Sequence, residues 1–330
     1  ALGVTIGLVD NAWGGSAAEA WVPRDVLEAD GNSDAYLAEW DAKIAAYTDA
    51  VHAEKVAKFK KWKANGSKGK APWPNDIRKG QHRPANLYNG VLHPLIGYGI
   101  RGVIWYQGES NASRATAYNH LFPLMIETWR KDWGQGNFPF YWVQLADFTK
   151  ELDEPQQNSW WAELREAQTN TLSLPNTGQA VIIDIGEGRD IHPRNKRTVG
   201  DRLARHALTK DYGFKIACES PRYASMQIQN QKVVVSFDHV SDGGLYAFDV
   251  AEVLGFDIAG ADGVFRRAKA RIKGTNQVVV SHPNISEPVG VRYGWAENPI
   301  LNLFDRNGLP VTPFRSDDGT LGQLDDPFRP

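Results

Sequence analysis

The pattern that most restricts the fold of this chain is an alternation of short apolar runs with helix-length amphipathic segments. The runs lie at residues 4–9, 102–106, 138–145 and 180–185. Each is rich in β-branched or aromatic side chains and is followed by Gly, Asp or Asn. Runs that are apolar on both faces predict strands of a parallel sheet, with loops at their carboxyl ends placed to hold a ligand. Between them, residues 33–62 set Leu37, Trp40, Ile44, Tyr47, Val51 and Phe59 mostly three or four positions apart, which predicts a helix. Residues 114–131, 159–172 and 195–207 keep the same period. After residue 213 the pattern changes. Residues Lys232–Asp238, 264–272 and Gln277–Ser281 are β-rich, with turn signals at Asp242-Gly243, Asp262-Gly263 and Gly274-Thr275-Asn276. Short strands without intervening helices predict an antiparallel sandwich. The expected division is therefore an α/β domain over residues 1–212 and a β-rich region over 213–330.

Composition narrows the function. A chain of 330 residues with 42% hydrophobic and 23% charged residues can bury a substantial core. A formal net charge of −2 supplies no global field for nucleic acid or an anionic membrane. No apolar run approaches the ~20 residues that span a bilayer. The single cysteine, Cys218, excludes an internal disulfide framework and a Cys-rich zinc site. The basic stretch from Lys55 to Arg83 is read as a solvated helix end and surface loop, with an acidic-ligand clamp as the alternative. The acidic tail at residues 316–326, with Asp317, Asp318, Asp325 and Asp326, is read as a solvated segment rather than a calcium site.

Three loops come after predicted strands and carry polar side chains suited to chemistry. The first is Asp10-Asn11-Ala12-Trp13-Gly14-Gly15-Ser16. Paired glycines let a backbone N–H approach a ligand, and a helix start beyond them adds a favourable dipole; a tight strand-to-helix turn fits the same residues. The second is Trp105-Tyr106-Gln107-Gly108-Glu109-Ser110-Asn111, where the Asn111 amide can donate to a developing oxyanion. An Asx turn fits that loop equally. The third runs from Asp184 through Glu187, Asp190, His192 and Pro193 to Lys196. A histidine two residues after an aspartate can act as a general base with an orienting acid. One histidine without a second nitrogen ligand at helical spacing does not make a metal site.

Four ordered motifs make the resemblance specific. They are Leu87-Tyr88-Asn89-Gly90, the stretch from Arg101 to Asn111, the stretch from Phe138 to Ala146, and Asp190-Ile191-His192-Pro193-Arg194-Asn195-Lys196. Together with Gly14-Gly15-Ser16, the Val291–Trp295 stretch and Gly308-Leu309-Pro310, they resemble the sialate O-acetylesterase family, a branch of the SGNH hydrolases, over nearly the whole chain. The resemblance implies a three-layer α/β/α, flavodoxin-like sandwich with a β-rich C-terminal part, residues 1–212 being the SGNH-like catalytic domain. It implies hydrolysis of O-acetyl esters on sugars by a serine nucleophile, with an O-acetylated sugar, sialic acid included, as substrate. No metal or organic cofactor is implied, and neither a nucleic acid nor a membrane partner. His192 would be the catalytic base and Asp190 its acid, with Asp184 as the second choice because Arg189 stands three residues before the histidine. Gly15 would offer a backbone oxyanion donor and Asn111 a side-chain donor, while Gly14, Gln107, Gly108 and Glu109 would line the substrate pocket. The family also implies an extracytoplasmic setting: secreted, periplasmic or lysosome-like.

The nucleophile is the expected gap. The family carries it in a Gly-Gln-Ser-Asn stretch upstream of the Gly-Gly loop, and here Ala1-Leu2-Gly3 runs directly into the first apolar run. Ser110 and Ser16 belong to the oxyanion loops and are poor substitutes. In a flavodoxin-like sheet the first strand lies inside the sheet, so its loss strands backbone groups and apolar faces. The expectation is a complementary N-terminal segment that brings both strand and serine. Two rivals arise from the same loops: a non-catalytic carbohydrate-binding protein, and a glycosidase using Glu109 and Asp190. Three N-glycosylation signals, at Asn65, Asn111 and Asn284, add a condition: a glycan on Asn111 would block its amide.

Overall fold

The parallel strands form where a short apolar run finds a neighbouring strand to pair with. In the computed structural model, which describes residues 2–317, the chain divides into two compact units. One comprises residues up to 99 and 120–136; the other comprises 100–119 and everything from 137.

The first unit is helical. It holds α1 (Arg24–Asp30), α2 (Asp34–Ala46), α3 (Asp49–Ala64) and, from residue 120, α4 (Ala115–Trp133). Its core is made by Trp21, Leu27, Phe122, Met125 and Ile126, all buried. The Trp129 indole lies 6.2 Å from that of Trp21 and donates to the Trp21 carbonyl at 2.9 Å. The single helix expected over 33–62 is two. The chain breaks at Tyr47, and the Thr48 hydroxyl caps α3 by accepting from the Val51 N–H at 3.3 Å. The strand expected over residues 4–9 does not form. These residues belong to none of the sheets, and Leu8 is 87% exposed. A β-strand is stable only where its N–H and C=O groups meet a neighbouring strand, and an apolar run alone does not supply one.

The second unit begins with a parallel sheet ordered β1 (Val103–Trp105), β2 (Phe140–Val143), β3 (Thr177–Ala180). All four residues of β2 and all four of β3 are buried, as strands covered on both faces must be. Tyr141 and Val143 on one face pack with Val199 and Leu203 of α6 (Lys196–Lys210). On the other face Gln144 donates to Thr169 of α5 (Trp160–Asn170), completing three layers. The last of the four runs enters strand pairing earlier than expected: β3 ends at Ala180, and residues 181–183 continue buried but unstranded.

From residue 222 the second unit is β-structure. β4 (Arg222–Gln229), β5 (Lys232–Asp238), β10 (Gln277–Ser281) and β9 (Lys269–Lys273) pair in that order as one antiparallel sheet. β13 (Phe314–Arg315), β11 (Pro288–Tyr293), β7 (Phe256–Gly260) and β8 (Phe265–Arg267) form a second, and β12 (Leu303–Asp305) pairs with β6 (Leu245–Ala247). Val233, Val235, Phe237, Val278 and Val280 of the first sheet share a core with Phe256, Ile258, Val291 and Tyr293 of the second. The strand expected over 264–272 is interrupted at Ala268, giving β8 and β9 in different sheets. Within the acidic tail, Asp317 is not solvated. Its side chain is 2% exposed and pairs with Arg292 at 2.8 Å, while Asp318, Asp325 and Asp326 lie outside the described residues.

Candidate functional site

Residues Gln107 to Asn111 leave the carboxyl end of β1 and turn at once into a 3₁₀ segment, Glu109–Arg114. Gly108 is required there by space. A Cβ at this position would come within 2.8 Å of Leu164 Cδ2, 3.0 Å of Leu145 Cδ2 and 3.1 Å of Gln168 Nε2. The Gly108 carbonyl accepts from the Asn111 N–H at 2.8 Å, which closes the turn. The Gln107 amide then orients Asn111: its Nε2 donates to Asn111 Oδ1 at 2.7 Å, and its Oε1 accepts from the Tyr118 hydroxyl at 3.1 Å. With Oδ1 turned to Gln107, the Asn111 NH2 group points the other way, as an amide's geometry demands. Asn111 is 1% exposed, so the glycosylation signal beginning there is closed to modification in the folded chain.

Gln168, on α5, is a brace that no sequence motif marks. Its Nε2 donates to the Gln107 carbonyl at 3.1 Å and its Oε1 accepts from the Leu145 N–H at 2.9 Å, tying the ends of β1 and β2 together. Arg165, one turn earlier, is wholly buried without a carboxylate. It donates to the carbonyls of Leu145, Ala146, Ala296 and Glu297 at 2.6–2.9 Å. Burial pushes its guanidinium down to about 9.

The third loop is built on the same scaffold. Asp147, just past β2, accepts the Gly186 N–H on its Oδ1 at 2.7 Å, and a Cβ on Gly186 would lie 2.1 Å from the Asp147 carbonyl oxygen. Burial raises the Asp147 carboxyl, and the Gly186 N–H partly offsets this. Beyond Gly186, Asp190 and His192 meet locally. Asp190 Oδ1 accepts the His192 backbone N–H at 2.9 Å and lies 3.4 Å from His192 Nδ1. The Asp190 carboxyl is held below its ordinary range, first by that backbone donor and also by the imidazole. The His192 side chain is 83% exposed, with Nδ1 towards the carboxylate. Asp184, the alternative acid, is committed elsewhere, in a bidentate pair with Arg202 at 2.6 and 2.7 Å.

Glu109 joins the two loops electrostatically. Burial raises its carboxyl, while the charges of His192 and Lys196 pull it back, so all three groups share one neighbourhood. Lys196 Nζ also stands 4.9 Å over the Tyr106 ring. The second unit thus brings Gln107, Gly108, Glu109 and Asn111 together, and Asp190 with His192. Gly14 and Gly15 belong to the first unit, in an exposed turn where Gly15 is left-handed at φ 65°. The next element is a four-residue 3₁₀ segment, Ala18–Trp21, without a side-chain cap, not the helix start expected there. That turn therefore has no helix dipole behind it. Ser16 is buried, and its hydroxyl accepts from the Trp21 indole at 2.9 Å.

A parallel sheet between helices, with polar loops at its carboxyl ends, is an α/β scaffold of the SGNH type. Residues 58–209 match the family model described as "Carbohydrate esterase, sialic acid-specific acetylesterase". The chain is 32% identical over 232 residues to the sialate O-acetylesterase of Mus musculus, covering 64% of this chain and 40% of that protein. It is 30% identical over 254 residues to that of Homo sapiens, covering 71% of this chain and 41% of that protein. The crystal structure of a carbohydrate acetylesterase from Xanthomonas citri superposes with a TM-score of 0.68 at 45% identity, covering 72% of this chain and 55% of that one. The chain belongs to the sialate O-acetylesterase family, and spans about two fifths of the length of the curated relatives it matches.

Proposed function

We propose that this chain carries the base and oxyanion machinery of a carbohydrate O-acetylesterase, acting on O-acetylated sugars that include sialic acid. The observation that carries the reading is the exposed His192 imidazole whose Nδ1 faces the Asp190 carboxylate at 3.4 Å. That arrangement leaves Nε2 to take a proton from an attacking hydroxyl. A serine hydroxyl attacks the acetyl carbonyl while His192 takes its proton, and the carbonyl π electrons move to oxygen. The Asn111 NH2 group donates to that oxyanion; Gly15 is assigned the second donor by resemblance alone. Collapse expels the sugar oxygen, which receives the proton from His192. Water, activated by the same imidazole, then releases acetate and restores the serine. Gly14, Gln107, Gly108 and Glu109 line the sugar side. By the family resemblance the serine is assigned to a complementary segment upstream of Ala1; in keeping with this, Ser16 is held by Trp21 and Ser110 sits in the 3₁₀ turn with Asn111. Residues 1–212 then form the catalytic domain and 213–330 a β-sandwich region, in an extracytoplasmic enzyme.

The test uses the protein with its upstream segment. His192→Ala should lower the release of acetate from O-acetylated sialic acid by about 10²–10⁴-fold, the usual worth of a general base, with little change in thermal unfolding. A near-normal kcat rejects the base. A serine-directed phosphonate should label the upstream segment; a label on Ser16 or Ser110 refutes the assignment of the nucleophile. Sugar binding without acetate release would favour the non-catalytic alternative.

A further inference from the structure

Helix α3 is sixteen residues long and buries none of them completely. Its exposed surface is not evenly polar. The rings of Phe59 and Trp62 stack at 5.7 Å with an interplanar angle of 21°. The chain then reverses through left-handed Gly66, Ser67 and Gly69, and lays Trp73 against Phe59 at 5.1 Å and 31°. The Trp62 indole N–H donates to the Lys68 carbonyl at 2.8 Å, fastening that reversal to the helix. The result is an aromatic step with Phe59 inside and the Trp73 indole outermost, 65% exposed. A large apolar ring held in place yet left in water has a face available for a partner.

The surroundings specify the charge of that partner. Between residues 54 and 73 lysines crowd the helix and its turn, and the one carboxylate among them is Glu54. Lys55 and Lys63 lie four residues either side of Phe59, and Lys58 lies four before Trp62, so all three stem from the helix face that carries the rings, the Lys55 Nζ resting 4.7 Å over Tyr47. Lys63 Nζ sits 5.0 Å over the Phe59 ring, and Lys58 pairs with Glu54 at 2.7 Å. Among the described residues Lys60, Lys61, Lys68 and Lys70 have no carboxylate within salt-bridge distance.

We propose that this aromatic–lysine step binds an acidic oligosaccharide, its sugar ring stacked on Trp73 and its carboxylates met by the α3 lysines. An indole face offers CH–π contact to the axial hydrogens of a pyranose, and lysines are mobile point charges that track carboxylates repeated along a sugar chain. One exposed indole, rather than a track of successive exposed rings, suits a sugar better than single-stranded nucleic acid. The site lies apart in sequence from every residue assigned to acetyl transfer. The sugar class rests on the carbohydrate reading above, but binding here needs no turnover, so acetate release and binding fail independently.

The experiment is titration of the full chain with a hexamer of galacturonic acid, monitored by tryptophan fluorescence and calorimetry at low and high salt. Saturable binding that weakens with salt is expected. Trp73→Ala should weaken it about tenfold, equivalent to about 1.4 kcal/mol, with an unchanged circular-dichroism spectrum. The triple variant Lys55→Gln, Lys58→Gln, Lys63→Gln should weaken it and flatten its salt dependence. Equal affinity for neutral maltohexaose overturns the charge assignment. Tighter binding of hexathymidylate replaces the sugar with nucleic acid, and no saturable binding of the uronate removes the site.

Discussion

Replacing Gly108 by alanine tests the turn that presents Asn111, where packing and a backbone φ of 157° both favour glycine; pairing it with Leu164→Ala isolates the packing part. The added methyl would lie 2.8–3.1 Å from Leu164, Leu145 and Gln168, all fully buried. Overpacking of this kind costs about 1–3 kcal/mol. Moving the Gln168 amide also disturbs its bonds to Gln107 and Leu145, worth a further ~1 kcal/mol. Gly108→Ala should therefore lower stability by about 2–4 kcal/mol, read as the urea midpoint at constant m-value. Acetate release should fall by more than stability explains, up to about 10²–10³-fold if Asn111 is displaced as an oxyanion donor. Leu164→Ala alone opens a cavity costing about 2–5 kcal/mol, but in the double variant the new methyl enters that space. The two changes should then be less than additive by at least ~1 kcal/mol. A single variant within about 0.5 kcal/mol of the native chain, or strictly additive changes, refutes the packing account.

Gly186→Ala pits a methyl against the Asp147 backbone carbonyl 2.1 Å away, which no rotamer can relieve, so the His192 loop must shift. Hydrogen exchange over residues 186–192 should accelerate while β4–β5 stays protected; unchanged exchange rejects the coupling. His206 sets an acid limit on the second unit. Its Nε2–H donates to the Gln179 carbonyl at 3.0 Å, its buried Nδ1 meets no hydrogen-bond partner among the described residues, and burial lowers its pKa to about 4 from an ordinary 6.5. Between those values the unfolded chain binds the extra proton, so stability falls as pH falls from 6.5 to 4, by about 3 kcal/mol in all. His206→Gln should flatten that limb, and a variant with the native acid limb intact excludes His206 as its source. Asp257, raised by burial to about 6, works in the opposite sense, its contribution falling as pH rises from 3.8 to 6.

What was legible in sequence divides by the range of the interaction. β5 and β10 begin and end where their alternating and β-branched residues do, and α4, α5 and α6 lie within a few residues of the expected helices, because burial of one face is written in the local period. Asp190 and His192 were legible for the same reason: two residues apart, they meet through a local turn. Residues 4–9 show the limit. Apolar content describes a side-chain preference for burial, whereas a strand also needs a backbone neighbour, which no local window contains. Tyr47 shows another: the apolar spacing runs straight through it, yet Thr48 offers a cap that ends one helix and starts the next.

The braces around the candidate site fall on the far side of that divide, and they separate residues that resemblance treats alike. Arg165 reaches carbonyls 19 to 132 residues away, and Gln168 one 61 residues away, so neither role has a local signature. Asp147 comes after an apolar run with the same Asp-after-strand signal that marks Asp184, and the structure gives both a supporting task. Asp147 holds the Gly186 N–H, and Asp184 neutralises Arg202. Asp190 differs from both in being an exposed carboxylate whose partner is an exposed imidazole. Under the proposed mechanism His192 gains and loses a proton in each cycle; a carboxylate locked to a buried arginine cannot reorient with it, whereas one held by the histidine's own backbone N–H moves with it. That distinction favours Asp190 over Asp184 as the acid, on grounds that spacing from the histidine does not supply.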